Sequence, residues 1–506
     1  MNSFSINGVT FLTLASFFGK IFGAIYRIPL SNLLGANGMG IYQMAFPMYS
    51  FFLTFITGGV SVYLSKTVAR LRAKNGYITI YKKYAIAKRI TFVFGIFITL
   101  FLIVFSMPIA YIQGNKNAYL GFIFISFGFI FASMLGAYRG YYQGFNNMKP
   151  TAISQIIEQA GKLIFGLFLT TIFLRYGIVY GVCGALLGVS VSEMLSLVYF
   201  LIINRKIKKE KVRLIREDYF STIKEFLPIS FSYGVMPLSV MIDSFLIINL
   251  LSINFPLIAT DIYGIETGMI LPLINIPNVI ISAIAIALIP SISYKIEKGE
   301  DVSLLVNKIF KIVFILVIPC ALGMFVLSNS IITILYSNLG AVNIALASNL
   351  LMLSVLEMFF LCFMGISNAV LQALGKAELP LKSLTFGLII KLIVEVILVP
   401  IAFINIFGLV IASILGYGAI CIINIIKIRN ITGFSIQIKD FLTVFLSSCL
   451  MLLFIFVLTI FKQRFGLYVY LSSVVLGSVI IYFITLWLFG TLKINTFKKV
   501  LQNDEV

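Results

Sequence analysis

The sequence predicts an all-α integral membrane protein of about fourteen transmembrane helices. Three observations carry this expectation. Of its 506 residues, 60% are hydrophobic. The mean hydropathy is +1.07. The apolar residues also come in long runs separated by short polar connections. A soluble globule of this composition would be apolar on its outside as well as its inside. Runs of about 20 apolar residues match what a helix needs to cross a hydrocarbon core about 30 Å thick.

The segments fall at 5–30, 41–65, 86–112, 117–141, 151–174, 178–203, 221–250, 262–290, 308–328, 341–372, 380–402, 407–427, 440–461 and 467–490. Charge placement checks the count. Only 11% of residues are charged, yet the net charge is +20. With the N-terminus inside, 30 of the 38 Lys and Arg fall on cytoplasmic connections, led by Lys66–Arg89 and Arg205–Lys224. Arg27, Lys116, Arg175, Lys462 and Arg464 fall outside. This positive-inside bias predicts both termini cytoplasmic, and the expected location is the plasma membrane. The bias accounts for the basic excess, so no nucleic-acid partner is expected.

The N-terminus lacks a basic region ahead of its first apolar stretch and reads as a retained helix. The chain has no histidine. That removes Ser-His-Asp and Cys-His constellations and histidine metal sites. The five cysteines are scattered without CxxC spacing and read as small buried hydrophobes. No Walker A motif is present. No cofactor, metal or enzymatic activity is expected.

The chain repeats itself. Segment four ends in Gln143-Gly144 before Pro150, and segment five carries Lys162-Leu163-Ile164. Segment ten ends in Gln372-Ala373 before Pro380, and segment eleven carries Lys391-Leu392-Ile393. A Gly-rich helix follows each. A period of six helices predicts two six-helix lobes of one orientation, related by an axis along the membrane normal, with substrate held centrally. The expected organisation is 1–218 for the first lobe and basic linker, 219–430 for the second lobe, and 431–506 for two appended helices and a tail. Pro47, Pro228, Pro237, Pro272 and Pro277, with Gly58-Gly59, mark helices expected to bend.

Segment five holds the most informative stretch. Gln155, Glu158, Gln159 and Lys162 are spaced i, i+3, i+4, i+7 and share one helix face. If Pro150 marks the helix start, Glu158 and Lys162 lie roughly 12 and 18 Å along it at ~1.5 Å per residue. A charged stripe at that depth must face protein or water. Glu158/Lys162 and Lys391/Glu395 are both i, i+4 pairs, at matching places in the two repeats with charge order reversed. Two readings stay open: ion pairs within each helix, or lysines offered to an anionic ligand with glutamates tuning them.

Lys20 and Arg27 share a face of segment one, Arg27 nearer the outer interface. Arg139 and Lys149 flank the inner end of the expected cavity. Asp243 follows the Pro237 bend; it faces Lys391, binds a coupling cation, or is protonated. Glu193, Glu266 and Glu357 read first as interhelical contacts.

Three stretches resemble one family. GKIFGAIYRIPLSNLLGANGMGIYQMAFPMY (19–49), RGYYQGFNNMKPTAISQIIEQ (139–159) and YGIETGMILPLINIPNVIISAIAIALIPSIS (263–293) are similar to the stage V sporulation protein B family. That family lies in the polysaccharide-transporter branch of the multidrug/oligosaccharidyl-lipid/polysaccharide flippase superfamily. The resemblance implies a flippase for an undecaprenyl-diphosphate-linked saccharide, foremost lipid II, in cell-wall or spore-cortex synthesis. Cell-wall polymerases are the protein partners it implies. Lys20, Arg27, Arg139, Gln155, Glu158, Gln159, Lys162, Lys391 and Glu395 are then the expected substrate-binding residues. The membrane potential, Na⁺ or H⁺ would drive transport, with Asp243 and Glu357 as the candidate cation-coupling acids.

The chain departs from lipid II flippases of the Gram-negative type, which carry arginines in segments one, two and eight. Here segment one has Lys20 and an offset Arg27, and the other two segments are apolar at those places. Two alternatives therefore remain: a multidrug or organic-cation exporter relying on Asp243, Glu357 and Glu395, or a flippase for another polysaccharide repeat unit. A membrane glycosyltransferase or polymerase would need a large, charged outer loop. The longest outer stretches, 251–261 and 329–340, hold Asp261 as their only charged residue.

Overall fold

The computed structural model describes residues 6–205, 216–376, 378–435, 438–460 and 466–490. Among these the chain is helical throughout, with no strand. The helices are α1 (Ile6–Leu53), α2 (Gly59–Ala73), α3 (Tyr77–Ile112), α4 (Tyr119–Gly144), α5 (Lys149–Phe173), α6 (Ile178–Asn204), α7 (Arg216–Ser252), α8 (Ala259–Gly264), α9 (Leu271–Glu297), α10 (Ser303–Leu335), α11 (Ala341–Ala373), α12 (Glu378–Leu398), α13 (Phe407–Thr432), α14 (Ile438–Ile460) and α15 (Leu467–Leu488). Among the described residues, 12 helical stretches are long and apolar enough to cross a membrane.

The first of those stretches holds two of the expected segments. α1 has 48 residues, and at ~1.5 Å per residue it would reach roughly 70 Å, more than twice a hydrocarbon core. It breaks at Gly35, which sits at φ 66°, ψ −173°. That region is open essentially to glycine alone, so one glycine divides segment one from segment two. α12 completes the fourteen. It has 21 residues, enough to span, but Lys382, Lys391 and Glu395 lower its apolarity. Two π-helical turns, Thr54–Gly58 and Ile265–Ile270, interrupt the second and eighth segments. The first ends at the expected Gly58-Gly59 bend; the second lies just before Pro272.

The chain divides into two compact units. Residues 1–273 with 392–409 form the first, and 274–391 with 410–506 the second. Helices α7 and α8, placed by the sequence reading in the second lobe, thus fall in the first unit.

In the first unit, α4 is held against α2 by a glycine stripe. A Cβ at Gly136 would stand 2.7 Å from the Thr57 Cα, and one at Gly140 would stand 2.5 Å from the Ser61 carbonyl oxygen. Such close approach is how membrane helices pack when lipid supplies no hydrophobic drive. Around this seam Tyr63, Tyr84, Tyr138, Tyr142 and Phe200 form a buried aromatic layer. At one end, Lys82–Asp218 (2.7 Å) and Lys83–Glu225 (3.2 Å) tie α3 to α7.

The second unit has an aromatic ladder instead. Phe310, Phe314, Phe359, Phe363, Phe434 and Phe441 join α10, α11, α14 and the chain after α13. Lys311 meets Asp440 at 2.8 Å. A buried polar node centres on Asn424 of α13. Its side-chain amide donates to Ser367 Oγ (3.1 Å) and Asn368 Oδ1 (2.8 Å), and its carbonyl accepts from Ser383 Oγ (2.6 Å). Membrane hydrogen bonds average about 0.6 kcal/mol each. Asn424→Leu should therefore destabilise the protein by about 1–2 kcal/mol, read as a lower Tm in detergent.

Candidate functional site

α5 begins at Lys149 with Pro150 in its first turn, where a proline costs no hydrogen bond. Its polar face turns toward α1 and α4. Gln155 accepts from Ser16 Oγ at 3.0 Å. Gln159 lies over the notch left by Gly19 and Gly23: a Cβ at Gly19 would stand 3.2 Å from Gln159 Cγ. The backbone of Lys20, between those glycines, is helical; its side chain lies outside the described residues.

Glu158 is held from two sides. Its Oε2 meets the Arg139 guanidinium of α4 at 2.9 Å, and its Oε1 accepts from Gln159 at 3.1 Å. Arg139 also donates to Ser154 Oγ at 3.0 Å. The pair is mostly buried, with side-chain exposures of 15% and 12%. Of the two sequence readings of Glu158 and Lys162, the first is not what is found. Glu158 takes its partner from α4, from which the long Arg139 side chain reaches across to α5. Arg139 is accordingly occupied by Glu158 and Ser154.

Lys162 and Arg27 converge elsewhere. The Arg27 guanidinium lies 5.4 Å from the centre of the Phe46 ring and 5.7 Å from that of Tyr42. The Lys162 ammonium lies 5.8 Å from the same Phe46 ring. Each distance is within cation–π range. Both side chains are half-buried. Among the described residues, no carboxylate lies within ion-pair distance of either cation. Two positive charges thus share one aromatic ring inside a membrane-spanning unit. Buried Glu193 of α6 completes the surroundings, accepting from Tyr49 Oη at 2.9 Å.

Phe46, Tyr42 and Tyr49 were not singled out from sequence. Their i, i+4, i+7 spacing on one helix face was a signal, but in an apolar segment it reads the same as a core stripe. Lys391 (2% exposed) and Glu395 (0%) are buried on α12, and Asp243 (7%) and Glu357 (3%) on α7 and α11. Lys391 packs beside Gly416 of α13.

Fold and site together define a multi-pass membrane protein of transporter architecture. The fold is similar to that of "Lipid II flippase MurJ, inward closed conformation", with a TM-score of 0.73 at 18% identity over 94% of this chain and 98% of that one. It is also similar to an inward-facing multidrug resistance MATE family transporter, with a TM-score of 0.64 at 14% identity, covering 82% and 94% of the two chains. The chain belongs to the polysaccharide biosynthesis protein family, whose model matches residues 5–295. It is 26% identical to stage V sporulation protein B of Bacillus subtilis (strain 168), covering 98% of this chain and 97% of that protein. It is also 26% identical to the lipid II flippase MurJ of the same organism, covering 87% and 85%.

Proposed function

We propose that the protein is a flippase for a diphosphate-linked saccharide on a polyprenyl lipid, with lipid II as the leading cargo. The observation that carries this reading is the Arg27–Phe46–Lys162 arrangement. Two cations without a carboxylate at ion-pair distance among the described residues, set against one ring, match a ligand with two adjacent negative phosphates. An organic cation would be repelled there, so the exporter reading is the weaker one. The similarity to stage V sporulation protein B and to a lipid II flippase supports the same cargo class.

In this reading the saccharide-diphosphate head enters from the cytoplasmic side while the polyprenyl tail stays in lipid. Arg27 and Lys162 neutralise the head, which otherwise could not enter hydrocarbon. Lys20 and Lys391 are further candidates for the same work. Alternating exposure of the site to the two faces delivers the head outside. An inside-negative potential favours outward movement of negative charge by ~2.3 kcal/mol per charge per 100 mV. The work is transport, with no covalent step.

The test is reconstitution in liposomes with a fluorescent undecaprenyl-diphosphate saccharide. The expected result is protein-dependent movement between leaflets, with rescue of cells depleted of their lipid II flippase. Failure to move any diphosphate lipid, with export of organic cations instead, would overturn the proposal.

A further inference from the structure

We infer that Arg139 is a positioning residue that keeps the Lys162 ammonium open to a ligand by holding Glu158 away from it. The inference rests on the anion-site reading above, and goes beyond it by assigning Arg139 a task that involves no contact with the ligand.

Glu158 precedes Lys162 by four residues on α5. This is the favourable order for an i, i+4 ion pair, with the acid nearer the helix N-terminus. Left alone, the two side chains would neutralise each other. Both oxygens of Glu158 are instead engaged, one by Arg139 at 2.9 Å and one by Gln159 at 3.1 Å. Ser154 fixes the guanidinium from its other edge at 3.0 Å. A planar guanidinium tied at two points outcompetes a flexible ammonium for a carboxylate. Lys162 is left over Phe46, without an ion-pair partner among the described residues.

The second repeat gives an internal comparison. In the register that matches Lys162-Leu163-Ile164 with Lys391-Leu392-Ile393, Gln143 matches Gln372 and Ser154 matches Ser383. Arg139 then matches Asn368, and Glu158 matches Gly387. The acid one turn before the lysine and the arginine that engages it are therefore present together in one repeat and absent together in the other. Where both are absent, the neutral Asn424 bridges Asn368 and Ser383. A structural tie would also need both partners, so the comparison marks Arg139 and Glu158 as one unit, and the variants below separate a tie from a restraint.

The test measures binding of undecaprenyl diphosphate to purified, monodisperse protein in detergent, for Arg139→Gln, Glu158→Gln, the double variant and Lys162→Gln. Arg139→Gln should weaken binding about tenfold or more, because Glu158 is released onto Lys162. Glu158→Gln should bind more tightly, because it removes the acid that competes with the ligand for Lys162. The double variant should return to near wild-type affinity. Arg139→Lys, a milder change, should fall between and guards against misfolding of Arg139→Gln. If Arg139→Gln and Glu158→Gln weaken binding alike, the pair is only a structural tie and the inference is overturned. It is also overturned if Arg139→Gln binds normally. If Lys162→Gln binds as the wild type does, the anion site itself is misplaced, and the inference goes with it.

Discussion

Transport of a diphosphate lipid should fall by about a hundredfold or more when Arg27 and Lys162 are both changed to glutamine. Each cation makes charge-assisted contacts worth about 1.5–3 kcal/mol to a bound anion, and every 1.4 kcal/mol is about tenfold. The single variants should each lose about tenfold. The effect is large because the alternative for a diphosphate is hydrocarbon, where water no longer compensates the missing partner. The double variant should still fold. Both cations are half-buried beside aromatic rings, and glutamine can fill that space with less charge to desolvate. The check is leaflet exchange in liposomes, with Tm in detergent as the folding control. Arg27→Lys should fall between the wild type and Arg27→Gln, since it keeps the charge but loses the planar guanidinium over Tyr42 and Phe46. Undiminished exchange by the double variant would place the anion elsewhere.

How far this site was legible in the sequence depends on whether a relation runs along a helix or across helices. Gln155, Glu158, Gln159 and Lys162 lie on one face because the helical period puts them there, and Lys149–Phe173 is the helix that was expected. The fourteen spans were legible for the same reason: length and apolarity are local properties. Glu158 shows where local reasoning ends. Spacing offered it Lys162 four residues on, but the partner it takes lies nineteen residues away on α4, brought there by packing. Phe46 could not be told from core by its neighbours in sequence; only the two cations converging on it set it apart. Gly35 had the opposite fault. Its conformation is local, yet a glycine in an apolar segment is common enough that its positive φ was not foreseen.

Gly140→Leu should cost more than about 3 kcal/mol and lower the Tm by about 5–10 °C or abolish folded protein. A Cβ there would stand 2.5 Å from the Ser61 carbonyl oxygen, 2.9 Å from the Leu64 Cβ and 2.9 Å from the Ser61 Cα. Two of those atoms are backbone of α2 and cannot step aside as a side-chain tip would. To admit the leucine, α4 and α2 must separate. Separation would also disturb the buried layer of Tyr63, Tyr138 and Tyr142 around that seam. In lipid, helices separated in this way gain nothing from hydrophobic burial elsewhere, so contact energy once lost is not recovered. Gly323 supplies the control. It lies within α10, and a Cβ added there meets nothing within 4 Å. Gly323→Ala should therefore leave the Tm unchanged or raise it by the helix-propensity gain of up to about 1 kcal/mol. Opposite signs at two helical glycines would trace the effect to interhelical approach; a similar loss at both would mean that α4 and α2 are not held by the stripe.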